Sequence, residues 1–271
     1  MTLHNTGMLA VGPQQLEYRM TGPRPGEAPT LVLLHEGLGS AALWGNVPER
    51  LSAATGAGVF AYSRAGYGAS SPAALPRPPT YMHDEAMKVL PKVLDAIGFR
   101  RGMLVGHSDG GSIATIYLGA HQDHRVRGLV LAAPHFVVED ASLAAIALAK
   151  QAFEMGDLKA KLGRWHADVE NAFRGWNDAW LDPSFRDWNI SDSLAYIRVP
   201  VQIVQGEADP YGTPCQIAIA EEECYCPVDV TLLPGIGHNP FREASERTLA
   251  AISSFVNRVL TAHEGKLPQA A

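Results

Sequence analysis

Read for apolar and polar positions alone, the chain alternates between two rhythms. Thr30-Leu31-Val32-Leu33-Leu34 is a continuous apolar run of strand length, and similar runs recur at Gly58–Tyr62, Met103–Val105, Leu129–Ala132 and Val201–Val204, with Val228–Leu233 adding another strand. Strands that are apolar on both faces suit a parallel sheet covered by helices on both sides. Helical spacing fills the gaps: Leu43–Ala54, Tyr81–Ile97 ending at Gly98, and Ser112–His121. Ahead of the first run, Met8–Val11 and Gln15–Met20 flank Gly12-Pro13 and predict a hairpin that adds an antiparallel edge. The pattern predicts an α/β fold with about eight strands, mostly parallel, joined by right-handed crossovers.

The alternation stops between about Phe136 and Ile197. That stretch has no good strand, a helical pattern at Ala141–Phe153, and four of the five tryptophans: Trp165, Trp176, Trp180 and Trp188. The expected organisation is a core made of residues 1–135 and 198–271, with residues 136–197 inserted as a helical cap. Glu243–Leu260 reads as a closing amphipathic helix.

Composition narrows the function class. At 271 residues with 46% hydrophobic and 18% charged positions, the chain can bury a core without disulfides or structural metals. A formal net charge of −6 without a dense Lys/Arg run argues against nucleic acid as a partner. No apolar stretch reaches the ~20 residues of a membrane span, and Met1–Gly12 has no signal-peptide pattern, so a cytoplasmic enzyme with no membrane partner is expected. Cys215, Cys224 and Cys226 read as reduced thiols, and no metal or cofactor is called for. A homodimer is left open.

Chemistry concentrates at strand ends. Gly106-His107-Ser108-Asp109-Gly110 matches Gly-x-Ser-x-Gly between a strand and a helix, which would hold Ser108 on a strained turn. Five residues are a weak signal, and a serine that merely caps the helix is the competing reading. A serine nucleophile needs a base oriented by an acid. Gln205-Gly206-Glu207-Ala208-Asp209-Pro210 follows one strand, and Pro234-Gly235-Ile236-Gly237-His238-Asn239-Pro240 follows the next. Both loops leave the carboxyl edge of the sheet, where open α/β folds bind ligands. Asp209 is therefore the expected acid and His238 the expected base, with Glu207 as a weaker alternative acid. His107 should point away from Ser108, and His135, at the same edge, is a candidate for pocket lining. His35, His121 and His124 compete only nominally. For the oxyanion, the candidate donors are the Asp109 amide and an amide of the loop His35-Glu36-Gly37-Leu38-Gly39-Ser40.

Taken in order, His35–Ser40, Tyr62–Ser70, Gly106–Gly110, Gln205–Asp209 and Gly237-His238 resemble the α/β-hydrolase superfamily across nearly the whole chain. The resemblance implies the Gly37 amide as second oxyanion donor and a serine hydrolase acting on an ester, thioester or lactone of a small apolar or aromatic molecule. The same fold hosts C–C hydrolases, lyases and cofactor-independent oxygenases as the alternative, and noncatalytic receptors more rarely. Three positions depart from the common pattern. Ser63 stands where aspartate is frequent, and Glu36 where glycine is frequent; Glu36 either anchors its loop, contacts substrate or tunes His238. Asp109 makes the elbow similar to that of valacyclovirase-like (biphenyl hydrolase-like) hydrolases, which implies an amine-bearing substrate; the alternative is a carboxylate that caps the helix. In the cap, Trp176 and Trp180 share a helix face, and with Phe173 and Trp165 they line an aromatic pocket or form the cap's own core.

Overall fold

A computed structural model describes residues 3–264. Eight strands form one sheet: β1 Thr6–Val11, β2 Gln14–Thr21, β3 Thr30–Leu34, β4 Gly58–Tyr62, β5 Gly102–His107, β6 Val126–Ala132, β7 Val201–Gly206 and β8 Val228–Leu233. Their order is β1-β2-β4-β3-β5-β6-β7-β8. The hairpin β1/β2 is antiparallel and β2 joins β4 antiparallel, while every other pairing is parallel.

The continuous apolar runs are explained by what lies on each side. Leu31, Leu33, Met103, Val105, Val130 and Ala132 point to one face, where they meet Val47 and Leu51 of helix α1 (Val47–Thr55) and Ile252 and Val256 of a long C-terminal helix, Ser245–Glu264. Val32, Leu34, Leu104, Leu129 and Leu131 point to the other, against Leu90, Val93 and Leu94 and against Ile113 and Ile116. Both faces are thus dry, and strict alternation of apolar and polar residues would leave a polar row buried.

Helix boundaries differ from expectation where backbone chemistry intervenes. The helix over residues 81–96 is interrupted by a π turn at Glu85–Val89. Pro91 lies just beyond it; it has no N–H to give to a carbonyl one turn earlier, and its ring crowds that carbonyl, so the wider turn relieves the mismatch. The helix after β5 begins at Asp109 rather than Ser112, because Gly110 and Gly111 are already helical. A helix at Cys215–Glu223 had no clear apolar periodicity to announce it.

Between β6 and β7 the chain is helical, with Asp140–Met155, Leu158–Leu162 and Val169–Trp180 followed by two 3₁₀ turns. The last of these helices buries Phe173, Trp176 and Trp180 on one face.

Candidate active site

Ser108 lies between β5 and the following helix, Asp109–Ala120, with φ 52° and ψ −121°. A non-glycine residue held at positive φ is strained, and the strain persists only because the surroundings fix it. Its amide donates to Ala132 O at 2.9 Å. The neighbouring glycines make the turn fit, since a side chain on Gly106 would overlap the Gly110 carbonyl and one on Gly110 would overlap Leu34 O. The Ser108 side chain makes no capping hydrogen bond to the helix.

Instead, Ser108 Oγ lies 2.9 Å from His238 Nε2. The other ring nitrogen, Nδ1, is 2.8 Å from Asp209 Oδ2 and 2.9 Å from Oδ1. Asp209 is anchored in turn: Gln205 Nε2 donates to Oδ2 at 2.8 Å and the Tyr211 amide to Oδ1 at 2.8 Å. Burial pushes the Asp209 carboxyl up, but the His238 contact and these donors outweigh it and hold the group below the ordinary carboxylate value. Glu207, the alternative acid, is exposed. The ring of His238 lies tilted against Tyr211, centroids 4.7 Å apart.

Gly37 and Asp109 border the same cavity as Ser108 and His238. Neither backbone N–H has an acceptor among the described residues. The loop that presents Gly37 is held by Arg64, which is 1% exposed and which the sequence reading did not single out. Its guanidinium donates to the carbonyls of His35 and Glu36 (the latter at 3.0 Å), and its amide donates to His35 Nε2 at 3.1 Å. Burial would lower the Arg64 pKa, yet its neighbours, the Asp109 and Glu85 carboxylates among them, raise it, so the guanidinium stays charged. A lone arginine in the loop after β4, at the carboxyl edge, was the only available signal.

The Asp109 carboxylate does not cap its helix. Tyr81 Oη donates to Oδ2, and Trp180 Nε1 donates to Oδ1 at 3.2 Å. Burial raises its pKa, against the pull of Arg64 and these two donors. Glu36 faces His107, its Oε2 lying 3.6 Å from His107 Nδ1. His107 turns from Ser108, as expected, but returns to the site by placing Nε2 2.8 Å from the backbone oxygen of His238.

The remaining lining of the cavity, about 120 Å³, comes from Glu36, Leu38, His135, Ile146, Trp176, Trp180 and Tyr211. His135 is 3% exposed, and burial with the nearby His238 charge lowers its pKa to about 3, so the ring is neutral. The expected grouping of four aromatics is only half realised. Trp165 is 45% exposed and Phe173 stacks on Phe153, centroids 3.8 Å apart; neither lines the cavity. Trp165 precedes the Val169–Trp180 helix and so cannot share its face. Among the described residues no cluster of three or more His, Cys, Asp or Glu is arranged to hold a metal ion, and no helix is long and apolar enough to cross a membrane.

Residues 29–157 match a family model described as the alpha/beta hydrolase fold. A proline iminopeptidase of Lactobacillus helveticus is 26% identical, covering 89% of this chain and 94% of that protein. Among solved structures, proline iminopeptidase of Mycobacterium smegmatis superposes with a TM-score of 0.73 at 18% identity, covering 95% of this chain and 99% of that one. An enol-lactonase of Burkholderia xenovorans LB400 gives 0.72 at 18%, covering 92% and 99%. The strand order, the serine turn after β5 and these likenesses agree on one architecture, and the chain therefore has the α/β-hydrolase fold.

Proposed function

We propose that the protein is a serine hydrolase that cleaves an ester-type bond (ester, thioester or lactone) of a small molecule through an acyl-enzyme. The observation that carries this reading is the unbroken chain Ser108 Oγ to His238 Nε2, 2.9 Å, and His238 Nδ1 to Asp209 Oδ2, 2.8 Å. These lengths lie within the reach required of a nucleophile and its base.

In the proposed cycle His238 takes the Ser108 proton as Oγ attacks the substrate carbonyl. Asp209 holds the imidazole in the tautomer that leaves Nε2 free to accept. The amides of Gly37 and Asp109, without an acceptor among the described residues, donate to the oxyanion. The C–O or C–S bond breaks, His238 returns the proton to the leaving group, and water repeats the sequence on the acyl-enzyme.

Residues 136–197 act as a cap in this reading, with Trp176 and Trp180 as the roof of the acyl site. A cavity of about 120 Å³ is small beside the roughly 300–1,000 Å³ of drug-sized ligand pockets, which favours a short acyl group. The buried Asp109 carboxylate accepts from Tyr81 Oη and from a Trp180 N–H that lies closer to Tyr81 Oη, at 2.9 Å, so a substrate amine would have to enter this network to reach it.

A second reading, hydrolysis of a prolyl amide, is favoured by the near full-length likeness to the Lactobacillus helveticus proline iminopeptidase. Purified protein assayed on p-nitrophenyl acetate and butyrate and on proline p-nitroanilide separates the two. Ester turnover that Ser108→Ala abolishes, with an unchanged thermal melt, is the expected result. Full activity in that variant overturns the nucleophile assignment, and turnover of the anilide alone moves the substrate to the second reading.

A further inference from the structure

Glu36 and His107 are among the titratable residues beside the site that the acyl-transfer steps leave unused. His107 is 2% exposed and ends β5 on the face opposite Leu104, among the rings of Trp44 and Phe241 at centroid distances of 6.5 and 5.8 Å. Both of its ring nitrogens face acceptors, Nε2 the His238 carbonyl at 2.8 Å and Nδ1 the Glu36 carboxylate at 3.6 Å. A neutral imidazole has one N–H and can satisfy only one of them; the imidazolium satisfies both.

The titratable groups around His107 come from four strand-end loops: Glu36 after β3, His135 after β6, Asp209 after β7 and His238 after β8. Burial opposes a charge on His107, but the nearby Glu36 carboxylate, the His238 carbonyl and the Asp209 charge hold its pKa above the ordinary 6.5. Reciprocally, burial pushes Glu36 up while His107 brings its carboxyl below the usual value. The Glu36 carboxylate also folds over Gly39, where any side chain would overlap Oε2.

The geometry points to Glu36 and His107 as a positioning pair, an ion pair that clamps the loop presenting the Gly37 amide to the loop carrying His238. Through it the oxyanion donor and the general base keep a fixed separation, although they come from loops 200 residues apart in the chain. Deprotonating His107 leaves its Nδ1 lone pair against the Glu36 carboxylate and releases one end of the clamp. This inference rests on Ser108 being the nucleophile.

The test combines two readouts on the intact protein: NMR titration of the histidine rings, and the rate at which a fluorophosphonate modifies Ser108 from pH 5 to 10. Wild type, Glu36→Gln and His107→Gln are compared, together with the double variant. His107 is expected to titrate above 6.5 in wild type and to shift downward in Glu36→Gln. Phosphonylation should slow on the order of tenfold in either single variant, the scale of a small misplacement of catalytic groups. The double variant should be no slower than the slower single one, because both changes open the same clamp. The wild-type rate should decline where His107 loses its proton, and that limb should vanish in His107→Gln. Glu36 is half-buried, so Glu36→Gln carries the test if His107→Gln fails to fold.

A labelled wild type alongside Glu36→Gln reacting at the wild-type rate across the pH range overturns the pair. An unlabelled wild type overturns the nucleophile reading instead. The ring titration then decides the pair by itself, since a His107 pKa that does not respond to Glu36→Gln refutes it and one that falls supports it.

Discussion

The indole of Trp176 lies directly against Gly37, so closely that any side chain on the glycine would overlap Nε1. The helix Val169–Trp180 therefore rests on the loop that presents the Gly37 amide, and the size of the acyl site is set by what stands at position 176. Trp176→Ala should shift preference toward longer acyl chains. The ratio of kcat/KM for p-nitrophenyl octanoate to that for acetate is expected to rise about tenfold or more, since each methylene accommodated in an apolar pocket is worth roughly 1–3 kcal/mol. An unchanged ratio would show that another wall limits the chain. The same variant should lose about 3–5 kcal/mol of stability, because the ring is largely buried.

Asp209→Asn tests how His238 is oriented. An amide at 209 can turn its NH₂ toward Nδ1 and favour the tautomer that places a proton on Nε2, where Ser108 needs an acceptor. Turnover of p-nitrophenyl acetate should drop by about 10⁴, with the thermal melt little changed. A loss below tenfold would mean that His238 does not depend on this carboxylate.

Acid sensitivity should trace partly to His135. Its folded-state pKa, about 3, lies below the ordinary 6.5, so the unfolded chain binds the proton first. The contribution to stability is complete above pH 6.5 and is lost as pH falls from there toward 3. At 1.36 kcal/mol per pH unit, the loss between pH 7 and 4.5 is about 2.5 kcal/mol from this ring alone. Urea unfolding of wild type and His135→Phe at both pH values checks it: the variant should lose less by about that amount. Equal losses in the two proteins would contradict the burial argument.

Arg64 is a cation enclosed among carboxylates and carbonyls. Arg64→Met removes the donors to the His35 and Glu36 carbonyls and leaves the charges of Asp109 and Glu85 with Arg77 in place of two shared cations. Urea unfolding at pH 7 should show about 3–5 kcal/mol lost, the usual cost of breaking a buried ionic contact from one side. Turnover should fall as well, because the loop carrying Gly37 loses its anchor. A stability change under 1 kcal/mol would mean that the cation is not holding the loop.

Much of the fold was legible because burial of a sheet on both faces writes itself as continuous apolar runs. β3 and β4 begin and end where their runs do, and Ser108, Asp209 and His238 were readable because each follows a strand pattern at the same edge; β8, Val-Asp-Val-Thr-Leu-Leu, is the half-buried exception among the strands. What escaped depends on side chains meeting across the fold. Nothing local to Arg64 says that its guanidinium will cross to the loop after β3, and nothing local to Asp109 says that Tyr81 and Trp180, 28 positions before it and 71 after, will occupy its carboxylate. The aromatic pocket was half right for a similar reason: helical spacing puts Phe173 and Trp176 near one another but does not say that Phe153 will claim the first.

The pairing of β7 with β8 aligns Val201 with Val228 and Gly206 with Leu233, and among the described residues β8 has no strand on its far side. Sliding β8 by two residues would keep the same side chains facing inward, so hydrophobic patterning alone hardly forbids it. It would nevertheless carry residue 238 about 6.6 Å along the strand direction, out of reach of residue 209. Turnover thus reports the alignment of the outermost ladder, and a folded, compact molecule with that ladder displaced by one repeat would be silent.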